Sequence, residues 1–321
     1  MSGRNSTSDT LPLPPSPPVA EAALLLSLDD PILTQFRYLT GLIGRDIQAS
    51  LSPMLHESEG DAQGLRLIYR LFDLTADGMD AGDLPRLLDA VQLAGFAGVN
   101  VTHPYKQAVV AHLDELSPQA AQIGSVNTVV FRDGRRIGHN TDIQGFAENL
   151  RAGLPSGSQF GKVVQMGGGG AGAATAHALM GMGVGTLTLF DPNGARAAEL
   201  CAALCALHGE GRAVLGQDLA AALADADGVV NATPLGMAGY PGSAIPHALL
   251  RPEFWVTDIV YFPLETQLLR EAKAAGCVTL DGSGMTVHQA AGAFEHFTGR
   301  KADAARMAAN FRAALTGDIR R

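Results

Sequence analysis

The stretch KVVQMGGGGAGAATAHALMGMGVGTLTLFDP, Lys162 to Pro192, decides how this chain reads. From Val163 to Phe190 it holds no Asp, Glu, Lys or Arg, a run long enough on paper to cross a bilayer. Eight glycines interrupt it, and Gln165 and His177 lie within it. It therefore reads as a buried strand, a glycine turn, a buried helix and a second buried strand. Gly167, Gly169 and Gly172 fit G-x-G-x-x-G at the strand-to-helix junction. One glycine makes the sharp turn, another lets backbone approach a pyrophosphate, and the third lets helix and strand pack closely. The helix start then offers free N–H groups and the positive end of its dipole to phosphates. Asp191 closes the second strand, at the spacing expected of an acid that hydrogen-bonds a ribose hydroxyl. Its charge favours a free 2′-hydroxyl over a 2′-phosphate, so NAD is the expected cofactor and NADP the second candidate. Arg196 could offset that preference, and an Asp before Pro192 is also an ordinary turn former. Methyltransferases share the loop and the acid, so the loop alone does not establish a redox enzyme.

Outward from this unit, strands and helices continue to alternate. DGVVNATP (Asp227–Pro234), FWVTDIVY (Phe254–Tyr261) and CVTLDG (Cys277–Gly282) are strand candidates separated by helical stretches, which predicts a parallel, doubly wound sheet. Upstream, QFRYLTGLIG (Gln35–Gly44), RLIYRLFDL (Arg66–Leu74) and FAGVNVT (Phe96–Thr102) read as strands, and DLPRLLDAVQLAG (Asp83–Gly95) as a helix. A further helix is expected from about Lys106, and Asp133-Gly134 marks a hairpin. GLPSGSQFG (Gly153–Gly161) reads as a linker, and Thr286 to about Leu315 as helical. The fold class is α/β with two domains. A substrate-binding domain spans residues 37–150 and is completed by C-terminal helices in 286–321. A Rossmann-type dinucleotide domain spans 151–285, and 1–36 is a flexible Pro-rich extension.

Composition excludes several classes. The 321 residues are 46% hydrophobic and 17% charged, enough for sizeable cores. A net charge of −9 without basic clusters argues against nucleic acid or an anionic membrane as partner. Three cysteines, Cys201, Cys205 and Cys277, suit neither a disulfide framework nor a zinc site, so a reduced, cytoplasmic protein without a metal is expected. Cys201 and Cys205 read as small core residues.

The first half carries the chemistry. SLSP (Ser50–Pro53), GVNVTHPYK (Gly98–Lys106), GSVNTVV (Gly124–Val130) and GHNTD (Gly138–Asp142) each place polar side chains at a strand end or turn. Together they offer hydroxyls, amides, one amine and one carboxylate, a set suited to a small polyhydroxylated carboxylic acid. Asn140 and Asp142 could also simply cap the next helix, and Ser52 before Pro53 is an ordinary helix start.

With these motifs in order, and with NATPLGM, DIVYFP and DGSGMTVHQA downstream, the sequence resembles the shikimate dehydrogenase family from about Leu39 onward. The resemblance implies that Lys106 and Asp142 are the catalytic pair. It implies that Ser50 and Ser52 bind the substrate carboxylate, that Thr102, Asn127 and Gln289 contact its ring hydroxyls or carboxylate, and that Tyr261 lines the pocket. By the same resemblance Gly167, Gly168, Gly169, Gly170, Ala171, Thr233, Ile259 and Gly282 contact the dinucleotide. Two departures place the chain nearer the NAD-preferring shikimate/quinate members. Asp191-Pro192-Asn193-Gly194 stands where NADP-using members carry an Asn-Arg-Thr type segment, and Ile143 stands where Gly is usual. Ser52, where some quinate-competent relatives use Thr, leans toward shikimate. The implied activity is hydride transfer between shikimate and 3-dehydroshikimate, with quinate as a second substrate. Lys106 would take the hydroxyl proton on oxidation and return it on reduction. The competing reading is a non-catalytic sensor of shikimate-type metabolites on the same scaffold. Monomer and homodimer both remain open.

Overall fold

The computed structural model describes residues 37–316. The extension 1–36 and the last part of the expected C-terminal helical segment, 317–321, lie outside the described residues. Two six-stranded sheets organise the rest. The first contains β1 (Arg37–Gly44), β2 (Arg66–Asp73), β3 (Gly98–Val101), β4 (Glu115–Leu116), β5 (Thr128–Arg132) and β6 (Arg135–His139), in the order β2-β1-β3-β5-β6-β4. β1 runs parallel to β2 and β3, whereas β5 is antiparallel to both β3 and β6. Asp133 and Gly134 turn the β5–β6 hairpin with φ of 52° and 76°, the left-handed geometry this dipeptide supplies.

The second sheet contains β7 (Lys162–Met166), β8 (Thr186–Phe190), β9 (Ala213–Leu215), β10 (Gly228–Asn231), β11 (Trp255–Asp258) and β12 (Val278–Leu280). All pair in parallel, in the order β12-β11-β10-β7-β8-β9. This is the doubly wound arrangement, with its switch point between β7 and β10. The uncharged stretch from Val163 to Phe190 is thus strand, turn, helix and strand. Among the described residues no helix is long and apolar enough to cross a membrane.

Helices α1 (Ser52–Ala62), α2 (Leu84–Leu93), α3 (Pro118–Ile123) and α4 (Thr141–Gly153) accompany the first sheet. Helices α5 (Gly170–Gly181), α6 (Gly194–His208), α7 (Leu219–Leu223) and α8 (Gln267–Ala274) accompany the second, before α9 (Ser283–Thr298) and α10 (Ala304–Thr316) return to the first. Ser117, Asn140, Asn193, Asp218 and Thr266 each cap a helix by accepting a backbone N–H two or three residues on.

Strand pairing decides which side chains meet. Leu42, Asn100 and Thr128 are registered partners and so share one face of the first sheet. On that face Leu42, Leu67 and Tyr69 pack with Val287, Ala290 and Phe294 of α9 and Phe311 of α10. The opposite face packs Ile43, Val99, Val101 and Val129 with Leu84, Leu88 and Val91 of α2. Each such buried aliphatic or phenyl side chain contributes about 1.5–3 kcal/mol of transfer free energy. Phe146, Ala147 and Leu150 of α4 join Met285 in the core of the second sheet. Helix α9 is therefore shared: its first turn packs with one core and the following turns with the other. Cys201 is buried in that second core, and the half-buried Cys205 lies against it.

One expectation needs correction. No α-helix starts at Lys106; turns are followed by a short 3-10 segment, Ala108–His112. The carbonyl of Lys106 accepts the N–H of Val126 at 2.9 Å and so is taken from the helical ladder. The expected C-terminal helices are α9 and α10, with α9 starting at Ser283, three residues ahead of Thr286. Gly299 ends α9 at φ 70°; the N–H of Arg300 is then taken by Thr298 Oγ1, and those of Ala302 and Asp303 by Glu295 and Glu59. Helix α2 begins at Leu84 and the other strands fall inside their expected spans with shortened ends.

Candidate active site

Asn140 follows β6 and caps α4, accepting from the N–H of Asp142 at 3.1 Å and of Ile143 at 3.4 Å. The cap fixes Asp142 in the first turn with its side chain only 3% exposed. Asp142 Oδ2 accepts from Lys106 Nζ at 2.7 Å, and Oδ1 accepts from Asn127 Nδ2 at 2.9 Å. Lys106 arrives from the turn after β3, which the Lys106–Val126 backbone bond ties to the start of β5. Its side chain keeps 22% exposure, so the amine has an open side while the carboxylate does not. Asn127 is buried, and its Oδ1 accepts from the Thr141 N–H at 2.8 Å. A buried carboxylate orienting a partly open amine can hold a hydroxyl and pass its proton.

Ser50 and Ser52 lie together at the start of α1, with Ser50 Oγ donating to Ser52 Oγ at 3.1 Å. The loop before them is shaped by Asp73 at the end of β2. Its carboxylate accepts from the N–H of Asp46 and of Ile47, both at 3.0 Å, and from Gln48 Nε2 at 3.2 Å. Burial pushes this carboxyl up, but those donors outweigh it and hold Asp73 below the usual carboxylate range. Thr102 is half-buried at the end of β3, donating its N–H to Ile43 O. Gln289 is half-buried on α9, where Gly145 of α4 closes to within 2.8 Å of its backbone nitrogen, measured from a Cβ built on the glycine. Tyr261 is 42% exposed after β11, with its ring centroid 6.0 Å from that of Phe311.

On the second sheet the glycine loop joins β7 to α5. Gly167 has φ 99°, and a Cβ there would sit 2.6 Å from Ala232 O. A Cβ on Gly172 would meet Gly167 O at 2.3 Å, so only glycine permits this closeness of helix and turn. Added Cβ atoms on Gly169 and Gly170 meet nothing within 4 Å, so the helix mouth is open. Gly169 caps α5 without a side-chain hydrogen bond, leaving the mouth's N–H groups for an anion. Ala171 is half-buried in the first turn. These features fit a pyrophosphate.

Asp191 Oδ2 accepts the Gly168 N–H at 2.6 Å, Oδ1 accepts the Asn193 N–H at 2.7 Å, and Arg196 Nη2 lies 2.8 and 2.9 Å from the two oxygens. Burial pushes the Asp191 carboxyl up, but Gly168, Arg196 and Asn193 together hold it well below the usual range. Thr233, Ile259 and Gly282 close the same end. Thr233 Oγ1 donates to Asn231 Oδ1 at 2.6 Å, and Ile259 donates its N–H to Asn231 O. Gly282 approaches so near that an added Cβ would lie 2.2 Å from Ile259 O.

The motifs did not single out Tyr69, Asn100, Thr128 or Thr141. Tyr69 donates to Asn100 Oδ1 at 2.8 Å, and Asn100 Nδ2 donates to Thr128 Oγ1 at 3.0 Å. The signal available was polar residues at strand positions whose neighbours are apolar, as in GVNV and NTVV.

Comparison with known proteins agrees with this architecture. Residues 42–129 match the shikimate dehydrogenase substrate binding domain, and residues 282–309 match the shikimate 5'-dehydrogenase C-terminal domain. The shikimate dehydrogenase (NADP(+)) of Streptomyces avermitilis is 52% identical over 280 residues, covering 87% of this chain and 96% of that one. The quinate/shikimate dehydrogenase (NAD(+)) of Corynebacterium efficiens is 51% identical over 277 residues, covering 85% and 97%. Among solved structures, the quinate dehydrogenase from Corynebacterium glutamicum in complex with NAD superposes with a TM-score of 0.82 at 45% identity, covering 87% of this chain and 100% of that chain. With half of its residues shared across most of its length, and with two domains of the matching kind, this chain belongs to the shikimate dehydrogenase family.

Proposed function

We propose that the chain is an NAD(P)-dependent dehydrogenase that interconverts shikimate and 3-dehydroshikimate, prefers NAD, and also takes quinate. The observation that carries this reading is the Lys106–Asp142 pair at 2.7 Å, on the same chain as an open glycine-rich helix mouth. Gly167 to Ala171 would hold the pyrophosphate, Asp191 the adenosine ribose, and Thr233, Ile259 and Gly282 the far end of the dinucleotide. Once bound, the dinucleotide supplies the hydride acceptor or donor. Ser50, Ser52, Thr102 and Gln289 would seat the acid, and Tyr261 would flank it. Lys106 Nζ holds the reacting oxygen and takes its proton on oxidation, with Asp142 keeping the amine in place. Asn127, whose amide is engaged with Thr141 and Asp142, would contact the ring through that same cluster.

We place the domain division as follows: substrate binding on 37–150 with the helices after 286, and dinucleotide binding on 151–285. The change of core along α9 between Met285 and Val287 supports it. The net charge of −9 without basic clusters supports a chain that does not bind nucleic acid, and the three free cysteines support a reduced, cytoplasmic enzyme, which we take to be monomeric or homodimeric.

The test is an initial-rate assay following reduced-cofactor absorbance with shikimate or quinate against NAD or NADP. Turnover of shikimate with NAD ahead of NADP is expected. No turnover by folded protein with any of the four pairs would move the reading to a metabolite sensor. Asp191 gives a sharper check. Asp191→Ser removes a charge that faces a 2′-phosphate, so the ratio of kcat/KM with NADP to that with NAD should rise about tenfold. Because the same carboxylate accepts the Gly168 N–H, KM for NAD should also rise. An unchanged ratio would remove Asp191 from the coenzyme choice.

A further inference from the structure

Beneath the substrate side of the first sheet, a row of polar side chains crosses a face otherwise packed with Leu42, Leu67 and the side chains of α9. Such groups are costly to bury unless each finds a partner, and here each does. Tyr69 donates to Asn100 Oδ1 at 2.8 Å, Asn100 Nδ2 to Thr128 Oγ1 at 3.0 Å, and Thr128 Oγ1 to Asn127 Oδ1 at 3.1 Å. Asn127 Nδ2 then donates to Asp142 Oδ1 at 2.9 Å, on the carboxylate whose other oxygen holds Lys106. The row uses β2, β3 and β5, where Asn100 and Thr128 are registered partners.

The direction of the row is forced. A tyrosine or threonine hydroxyl has one hydrogen to give. Tyr69 spends its hydrogen on Asn100 Oδ1, which sets the Asn100 amide with its nitrogen toward Thr128. Thr128 accepts there and must donate onward, so the Asn127 oxygen faces Thr128 and its nitrogen faces Asp142. The opposite amide orientation would aim a carbonyl oxygen at the carboxylate. Thr141 holds the same Asn127 oxygen from the other side, through its N–H at 2.8 Å.

We propose that Tyr69, Asn100 and Thr128 are positioning residues: a one-way hydrogen-bond chain across the first sheet that fixes the Asn127 amide and, through it, the Asp142 carboxylate that holds Lys106. This rests on the function proposed above. None of the three touches Lys106 or Asp142; they act by fixing the Asn127 amide.

The test compares wild type with Thr128→Val, Thr128→Ser, Tyr69→Phe and the Tyr69→Phe/Thr128→Val pair, by steady-state kinetics with shikimate and NAD. Thr128→Val keeps the volume and loses the donor, so kcat should fall about tenfold while KM stays within about threefold. Thr128→Ser should restore most of the loss. The double variant should fall scarcely further than Thr128→Val alone, because both cut one chain; independent structural losses would multiply. If Thr128→Val does not fold, Tyr69→Phe carries the test, since it keeps the ring stacked on His56, with centroids 4.7 Å apart. Unchanged kcat in folded variants, a rise confined to KM, or multiplying losses would overturn the positioning role while leaving the enzyme reading intact. Folded wild type without turnover would overturn both.

Discussion

Lys106→Ala is expected to lower kcat about 10²- to 10⁴-fold, the usual worth of a positioned acid–base group, while KM for the acid changes only a few-fold. The side chain lies with its Nζ 2.7 Å from Asp142 Oδ2 and 22% exposed, the disposition of a group that meets substrate rather than packs. Removing it leaves Asp142 its Asn127 donor and the cap at Asn140, so the local backbone should hold. The substrate's carboxylate is assigned to Ser50 and Ser52, on a different element at the start of α1, so its seating should survive. Initial rates together with calorimetric titration of shikimate separate the two quantities. Equal losses in turnover and affinity would make Lys106 a binding residue instead.

The largest stability effect is expected at Glu59. Its carboxylate is fully buried on α1 and gathers four donors: Arg306 Nε at 2.9 Å and Nη2 at 2.7 Å, Gln63 Nε2 at 2.6 Å, and the N–H of Asp303 at 3.0 Å. It thereby ties α10 to α1 across the ends of the chain. Glu59→Ala strands these donors and should cost about 3–5 kcal/mol, toward the lower end because the half-open Arg306 can turn to water. Burial pushes the Glu59 carboxyl up, yet Arg306, Asp303 and Gln63 prevail and hold it below the ordinary range. A carboxyl with a depressed folded value stabilises fully above its unfolded value, about pH 4.3, and loses that contribution as pH falls through the folded one. Thermal unfolding from pH 7 into this acid window should show a steep wild-type decline and a flatter one for Glu59→Gln. Parallel declines would show that acid lability arises elsewhere.

What the sequence made legible was chemistry that is local. The Gly167–Gly172 loop, the Asn140 cap ahead of Asp142 and the Asp133-Gly134 hairpin each declare themselves within a few residues. The Tyr69–Asn100–Thr128 row does not, because it exists only when β5 returns antiparallel beside β3, a pairing that no local pattern encodes. Glu59 and Arg306 meet for the same reason, from opposite ends of the chain. The misread helix at Lys106 belongs with them, since a backbone partner from the next motif, Val126, took the carbonyl the helix needed. Motif residues were found by type, and the network that aims them had to be seen in three dimensions.

Gly153, the last residue of α4, nearly touches Leu280, the last residue of β12: a Cβ on the glycine would lie 2.4 Å from the leucine side chain. The nucleotide half thus leaves and rejoins the chain at a single point, as an insert in a host. A gene that bridges Gly153 to Ser283 with a short Gly/Ser linker would delete the insert yet keep α9 and α10 over the first sheet. Stopping the chain at Gly153 would instead strip that roof and bare Leu42, Leu67 and Tyr69. The two halves are modular in space, but only one of them is modular in sequence.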